Sequence, residues 1–350
     1  MNGLQLTPEE YLTEIIMSKD RFLLLEGSDD EAFFILIRNF LRKNESQISE
    51  DKLDLLKNIV IDTAEGIKGE SGNGDKLGNR AKIEKICDLI TQESSNIQNR
   101  LVGFVDREFR EFEYDNELKD NLKTHKINNR LIWSKGHSIE NYFFEISTLK
   151  EAFNNYLVSD FYLEAFEMFE SKFAHTLRIA CALSLAGWSE NENENLLQPV
   201  TKSIDWQCID ISSTSVKINL EEWDKILKKR CKLNQTRIEK LFNKFETYLN
   251  MTNQCDLETL RCLSHGHIGF NFMFAVYGKC LYLTASSDQP EKKRKEAEKV
   301  NKNKDTRFPT VANAWIRSQS IEVDNNNNHD FPIKCFWMLI NEIHEVDNNV

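Results

Sequence analysis

The chain has no long apolar run. Its longest, Ile268 to Tyr277, stops far short of the ~20 residues that a membrane-spanning helix needs. The opening MNGLQLTPEEYLTEIIMSKD places two Glu close to the start and lacks the charged-then-apolar order of a signal peptide. These two absences argue against a membrane or secreted protein and lead to the expectation of a cytoplasmic one with no membrane contact. No C-x-x-C occurs among the eight cysteines, and no tight Cys/His pairing that would hold zinc, so they read as reduced, packed thiols. The glycine-rich stretch Glu65–Arg80 contains no G-K-[ST], so the chain is not expected to be an ATPase itself. There is no internal repeat.

What is present is ordinary for a soluble protein: 350 residues, 40% apolar and 29% charged, which also argues against wholesale disorder. The balance of 45 Lys+Arg against 56 Asp+Glu leaves a net charge of −11, an unfavourable total for a partner of phosphate polyanions. Two local reversals stand against it, residues 225–244 and 292–304, each rich in lysine. Either one is a solvated helix face or part of a local basic groove.

Up to about residue 146 the pattern alternates. Arg21–Leu25, Asn58–Asp62, Leu101–Val105 and Arg130–Trp133 read as buried strands, and Asp29–Leu41 and Ala81–Ile90 repeat apolar residues at helical spacing. Strands separated by helices predict an α/β fold with a mainly parallel sheet flanked by helices. From 147 to 350 the alternation gives way to helical periodicity over Leu149–Phe169, Thr176–Leu185, Leu220–Leu249 and Leu257–Leu283, a second, mostly helical domain. Ser189–Asn195, Glu291–Lys304 and Asn325–Asn328 read as exposed or mobile loops.

Ligands of such sheets bind at the carboxyl ends of the strands. Here those ends carry acids: Glu26, Asp62, then Asp106 and Glu108, followed by His137-Ser138-Ile139-Glu140-Asn141 after the fourth strand. Gathered carboxylates repel one another unless a hard divalent cation holds them, and magnesium needs only two or three. Asp62 reads better as a turn former, since it opens the glycine-rich loop. Asp106-x-Glu108 is the stronger pair, because alternate residues of an extended segment point the same way.

Glu26-Gly-Ser-Asp-Asp30, closing a strand and opening a helix, followed by Phe104-Val-Asp106-Arg-Glu108 at the end of a later strand, resembles the TOPRIM domain of topoisomerases, primases and OLD-family nucleases. Glu26 matches that domain's lone glutamate, Asp30 its following acid, and Asp106 with Glu108 its D-x-D pair, with Glu in place of the second Asp. His137-Ser-Ile-Glu140-Asn-Tyr142 is similar to the signature of a bacterial TOPRIM subfamily found beside ABC-type ATPases in phage-defence operons, and the chain as a whole resembles the effector nucleases of the PARIS anti-phage system. The motif match covers about residues 20 to 145.

The resemblance implies an RNA-cutting toxin directed at host tRNA, held by an ABC-type ATPase partner and released when a phage-encoded trigger is sensed. It implies Mg²⁺, with Mn²⁺ as a substitute, held by Glu26, Asp106 and Glu108, with His137 and Glu140 as further catalytic residues. Asp30, Lys68, Lys76, Arg80, His265 and His267 are the candidates for substrate contact. The aromatic stretch Phe161, Tyr162, Phe166, Phe169 is a candidate surface for a homodimer or for the ATPase, with helix core as its alternative. Competing readings are a DNA nuclease, a non-catalytic TOPRIM-like adaptor that docks the ATPase, and a phosphatase or receiver-type domain, which the absence of D-x-D-x-T and a first strand ending in Glu26 disfavour.

Overall fold

Arg21–Leu25 and Leu101–Val105 are buried along nearly their whole length, as strands covered on both faces must be. They form the centre of a five-stranded sheet in a computed structural model that describes residues 5–44, 48–69, 77–122, 124–156, 159–189, 191, 193–285, 290–302, 304–319 and 331–340. Contacts divide the chain into two units, one of residues 1–107, 124–135 and 319–350, the other of 108–123 and 136–318. The sequence suggests a single boundary at 146. The chain instead crosses several times, because residues 108–123 depart before the sheet is complete and the C-terminal segment returns to pack on it.

The first unit runs α1 (Pro8–Met17), β1 (Arg21–Leu25), α2 (Ser28–Lys43), α3 (Glu50–Lys57), β2 (Ile59–Thr63), α4 (Asn79–Ile90), α5 (Ser95–Gln98) and β3 (Leu101–Val105). After β4 (Phe112–Glu113) and β5 (Lys119–Asp120), which pair with each other in the second unit, it resumes with β6 (Ile127–Asn128) and β7 (Leu131–Trp133). The sheet order is β2-β1-β3-β7-β6, parallel except for β6 against β7. Alternate strand residues face opposite layers. Phe22, Leu24, Leu101 and Val105 pack with Tyr11 and Ile15 of α1 and with Ile83, Ile86 and Ile90 of α4. On the other face Phe104 meets Phe34 of α2 at 5.2 Å, and Phe34 meets Phe336 of the C-terminal helix Lys334–Ile340 at 6.0 Å. The layer of α4 lies unusually close: a Cβ on Gly103 would stand 2.6 Å from Cys87 Sγ and 2.7 Å from Ile83 Cγ2, so β3 needs glycine there.

The second unit is mostly helical: α6 (Ile146–Tyr156), α7 (Tyr162–Glu170), α8 (Phe173–Gly187), α9 (Leu197–Ser203), a hairpin of β8 (Ile209–Ile211) and β9 (Val216–Ile218), α10 (Leu220–Cys231), α11 (Gln235–Met251), α12 (Leu257–Leu263), α13 (Gly266–Thr284), α14 (Pro290–Lys302) and α15 (Lys304–Ser318). α13 is apolar on every side and central, with Tyr277 stacked on Phe153 of α6 at 4.1 Å. No helix among the described residues is long and apolar enough to cross a membrane.

Several long periodic stretches prove to be two helices. Leu220–Leu249 breaks at Lys232, which caps α10 with φ 56°, and Leu257–Leu283 breaks at Ser264 and His265. The lysine-rich segment expected as a loop is helical over Pro290–Lys302, with pairs such as Arg294–Glu298 at 2.6 Å. Phe166 and Phe169 are core residues against Phe153, as the helix-core alternative has it for these two, while Phe161 and Tyr162 are half-buried. Asn325–Asn328 lie outside the described residues.

Candidate functional site

In the first unit the chain passes from β1 to β2 on one side and from β2 to β3 on the other, so β1 and β3 flank the switch point where open α/β sheets bind ligands. Glu26 follows β1 and Asp106 follows β3. Glu26 Oε1 accepts the backbone N–H of Asp106 at 2.7 Å. The start of α4 braces both residues: Asn79 Nδ2 donates to the Glu26 carbonyl at 2.9 Å and Arg80 Nη1 to the Asp106 carbonyl at 2.5 Å. The same guanidinium pairs with Glu84 at 2.8 Å and lies 4.9 Å from the centre of the Trp133 ring. Arg80, expected as a loop residue for substrate, is therefore a buried brace for the acidic strand ends, because α4 begins two residues earlier than periodicity suggests.

The other acids of this unit have structural partners. Asp30 accepts the Gly27 N–H at 3.1 Å and caps α2, a local role that the spacing of an N-terminal box allows. Asp62 accepts the Tyr11 hydroxyl at 3.0 Å and the Thr63 N–H at 2.8 Å. Burial, reinforced by the Asp62 charge, holds the Tyr11 phenol well above its usual range. Lys68 uses its backbone N–H on the Leu6 carbonyl at 2.7 Å, and Lys76 lies outside the described residues.

Asp106 and Glu108 do not continue one extended segment. Glu108 has φ 55°, exposed and left-handed, so the alternation that would aim both carboxylates the same way is broken by the turn that begins there. Between them Arg107 is completely buried, its N–H on Ser134 Oγ at 2.9 Å and Nη1 on the Lys135 carbonyl at 2.9 Å. Nothing in the sequence singled this arginine out. Among the described residues no group of three or more His, Cys, Asp or Glu side chains is arranged to hold a metal ion. Magnesium takes one or two carboxylates and completes its shell with water and substrate phosphate, so Glu26 and Asp106 are the residues at this sheet edge that could serve as its ligands.

In the second unit, two motifs more than a hundred residues apart interlock. The turn at 138–141 is capped from within, with Ser138 N–H on Asn141 Oδ1 at 2.8 Å. Asn141 Nδ2 then donates to the carbonyls of Arg261 and Ser264 at 2.5 and 2.8 Å, and the His137 N–H donates to the Cys262 carbonyl at 2.7 Å. The buried Glu140 accepts from Ser138 Oγ at 2.5 Å and stands 3.3 Å from Nδ1 of the exposed His267. A Cβ on Gly266 would collide with both Ser138 Oγ and Glu140 Oε2. Glu140 thus orients an imidazole, as a carboxylate behind a histidine does.

His137 and His265 face each other at 4.5 Å between ring centres. Burial, with a smaller contribution from His267, pushes the His265 imidazole down to about 4, so it is neutral at neutral pH. Both line a cleft of about 600 Å³ together with Glu108, Arg110, Tyr114 and Trp188. The aromatic lining escaped sequence reading, because its rings come from two segments about 75 positions apart with no shared pattern. Compared with known protein families and with curated proteins, the chain matches none.

Proposed function

We propose that this chain is a metal-dependent TOPRIM nuclease, the toxic effector of an anti-phage system, of the type of AriB in PARIS. The observation that supports the reading best is the anchoring of Glu26 on Asp106 at 2.7 Å, at the switch point of a mainly parallel sheet. Glu26 and Asp106 would hold Mg²⁺ or Mn²⁺, and Glu108, two residues along, completes the acidic motif. The ion, when bound, supplies Lewis-acid neutralisation of a phosphodiester and an activated water. Arg80 and Asn79 keep the two strand ends in register, and Arg107 is too buried to meet substrate. His137 and Glu140 belong to the second unit. Their part is to build the second unit's histidine-lined turn, which would contact substrate.

The substrate under this reading is host RNA, tRNA by resemblance, and the partner is an ABC-type ATPase of the AriA kind that holds the nuclease until a phage-encoded trigger is sensed. Of the basic residues in 225–244, Lys225, Lys228, Arg230 and Lys240 pair with Glu222, Asp224, Asp205 and Glu194, which reduces the positive charge of that face. The deciding experiment expresses the chain with and without a neighbouring ATPase gene and sequences the ends of cellular tRNA and DNA fragments. Magnesium-dependent tRNA ends that vanish in Glu26→Ala support the reading. DNA ends alone make the substrate DNA, and a chain inert on every nucleic acid, with or without the ATPase, makes it an adaptor.

A further inference from the structure

We propose that the cleft of the second unit binds a single unstacked base of a single-stranded nucleic acid, an inference that rests on the nuclease reading for its choice of ligand. Five rings follow one another along the cleft without a gap. Tyr114 meets Trp188 at 5.1 Å, Trp188 meets Phe109 at 5.0 Å, Phe109 meets His137 at 4.6 Å and His137 meets His265 at 4.5 Å, centre to centre. Such a row is not a closed core. Tyr114 and Trp188 are only half-buried, and the space they border measures about 600 Å³, within the range of small-ligand sites and roomy enough for a base with its ribose.

Chemistry narrows the ligand. The rings meet edge-on or tilted, at 41° to 76°, rather than in one plane; a single ring face is enough to stack one base, and every nucleobase has a π-face. Base stacking needs no positive field, so it gives a chain of net charge −11 a way to hold RNA that phosphate contacts over its whole surface would not. Arg110 and Glu108 also line the cleft, so its wall is polar as well as aromatic. His265, neutral through burial, adds a polar ring without adding charge.

The test uses the full chain in EDTA, titrated with each of the four ribonucleoside 5′-monophosphates and with a single-stranded RNA tetranucleotide, while tryptophan fluorescence is followed. Saturable quenching by mononucleotides and by the tetranucleotide, competing with each other, is expected, and ribose 5-phosphate should neither quench nor compete. Quenching by the tetranucleotide alone would place the base within a strand rather than as a free nucleotide, and also supports the site. Tyr114→Ala should weaken binding at least about fivefold, the low end of what one stacked ring contributes. Trp188→Phe keeps a ring in the wall, so it should lose most of the quenching while competition against a labelled tetranucleotide still shows affinity within about threefold. Competition by ribose 5-phosphate as strong as by the nucleotides, unaltered affinity in Tyr114→Ala, or no quenching by either millimolar mononucleotide or the tetranucleotide would overturn the proposal. Failure here alongside Glu26-dependent cleavage in Mg²⁺ removes the base site and leaves the nuclease. Base binding by a chain that cuts no nucleic acid does the reverse.

Discussion

Glu26 spans 80 positions of sequence to accept the backbone N–H of Asp106 at 2.7 Å, so the carboxylate that ends β1 is fastened to the end of β3. The same group thus has a structural duty and, under the nuclease reading, a chemical one, and the two can be separated. Glu26→Gln retains an acceptor oxygen for Asp106 but carries no charge for a metal. It should melt within a few degrees of the parent and cut RNA in Mg²⁺ at least about a hundredfold more slowly. Glu26→Ala loses the acceptor as well, leaving a partly buried N–H unmatched, and should cost about 1–3 kcal/mol of stability in addition. Cleavage at the parental rate by the Gln variant would remove Glu26 from the chemistry.

Gly266 is where the two motifs of the second unit touch. A methyl group there meets Ser138 Oγ and Glu140 Oε2, both of them held by other bonds, so the neighbours cannot give way cheaply. Gly266→Ala should destabilise this unit by about 1–3 kcal/mol, the usual range for forcing an extra carbon into a packed interior. Adding Ser138→Ala removes one of the two obstacles, and the double variant should recover part of the loss in a chemical denaturation series. A single variant as stable as the parent would mean that the turn at 138–141 and the start of α13 are not locked together.

Much of the first unit was legible because each strand is a short apolar run with a helix-period segment between it and the next. Parallel strands buried on both faces leave that trace in any reading frame. Glu26 and Asp106 could be picked out by their position after such runs. Glu108 could not be placed, since a positive φ at a glutamate leaves no mark in the sequence. Arg80 misled for a related reason: a glycine-rich stretch precedes it, yet its side chain folds back to Asp106 and Trp133. In the second unit, periodicity ran straight through Ser264 and His265, because a two-residue helix break leaves the apolar pattern intact. The returning C-terminal helix was invisible for a different reason, its tie to Arg130 being a contact between positions 208 apart.

Acid should weaken both units through half-buried imidazoles. Burial pushes His265 down to about 4, and in the first unit burial, with Lys135 and Lys334 adding repulsion, pushes His125 down to about 3. Unfolded histidine titrates near 6.5, so below that pH the unfolded chain binds a proton that the folded one refuses. The stability these groups preserve is complete above about 6.5 and drains away as pH falls toward 4 for His265 and toward 3 for His125, at no more than about 1.4 kcal/mol per pH unit for each. Urea unfolding between pH 7.5 and 4.5 should show a shallower acid slope in His265→Gln and in His125→Gln than in the parent. Parallel slopes would mean that the imidazoles are solvated.

Arg130 carries an unusual share of the first unit's long-range order. It is 4% exposed, and burial lowers its guanidinium to about 10. From that position Nε donates to the Leu101 carbonyl at 2.6 Å, while Nη2 serves the carbonyls of Asn99 at 3.2 Å and Met338 at 3.3 Å. One side chain therefore ties the entry to β3, the turn before it and the C-terminal helix that covers Phe34. A lysine has a single nitrogen on a flexible stem and cannot reproduce a planar fork aimed at carbonyls in different segments. Arg130→Lys should cost about 1–3 kcal/mol, and Arg130→Met more, since it leaves buried carbonyls without any donor. Hydrogen exchange should locate the loss: amides of the Lys334–Ile340 helix should open first in the lysine variant, ahead of those in β1 and β3. Uniform loss of protection across the sheet and the helix would instead make Arg130 a general core residue with no special hold on the C-terminal segment.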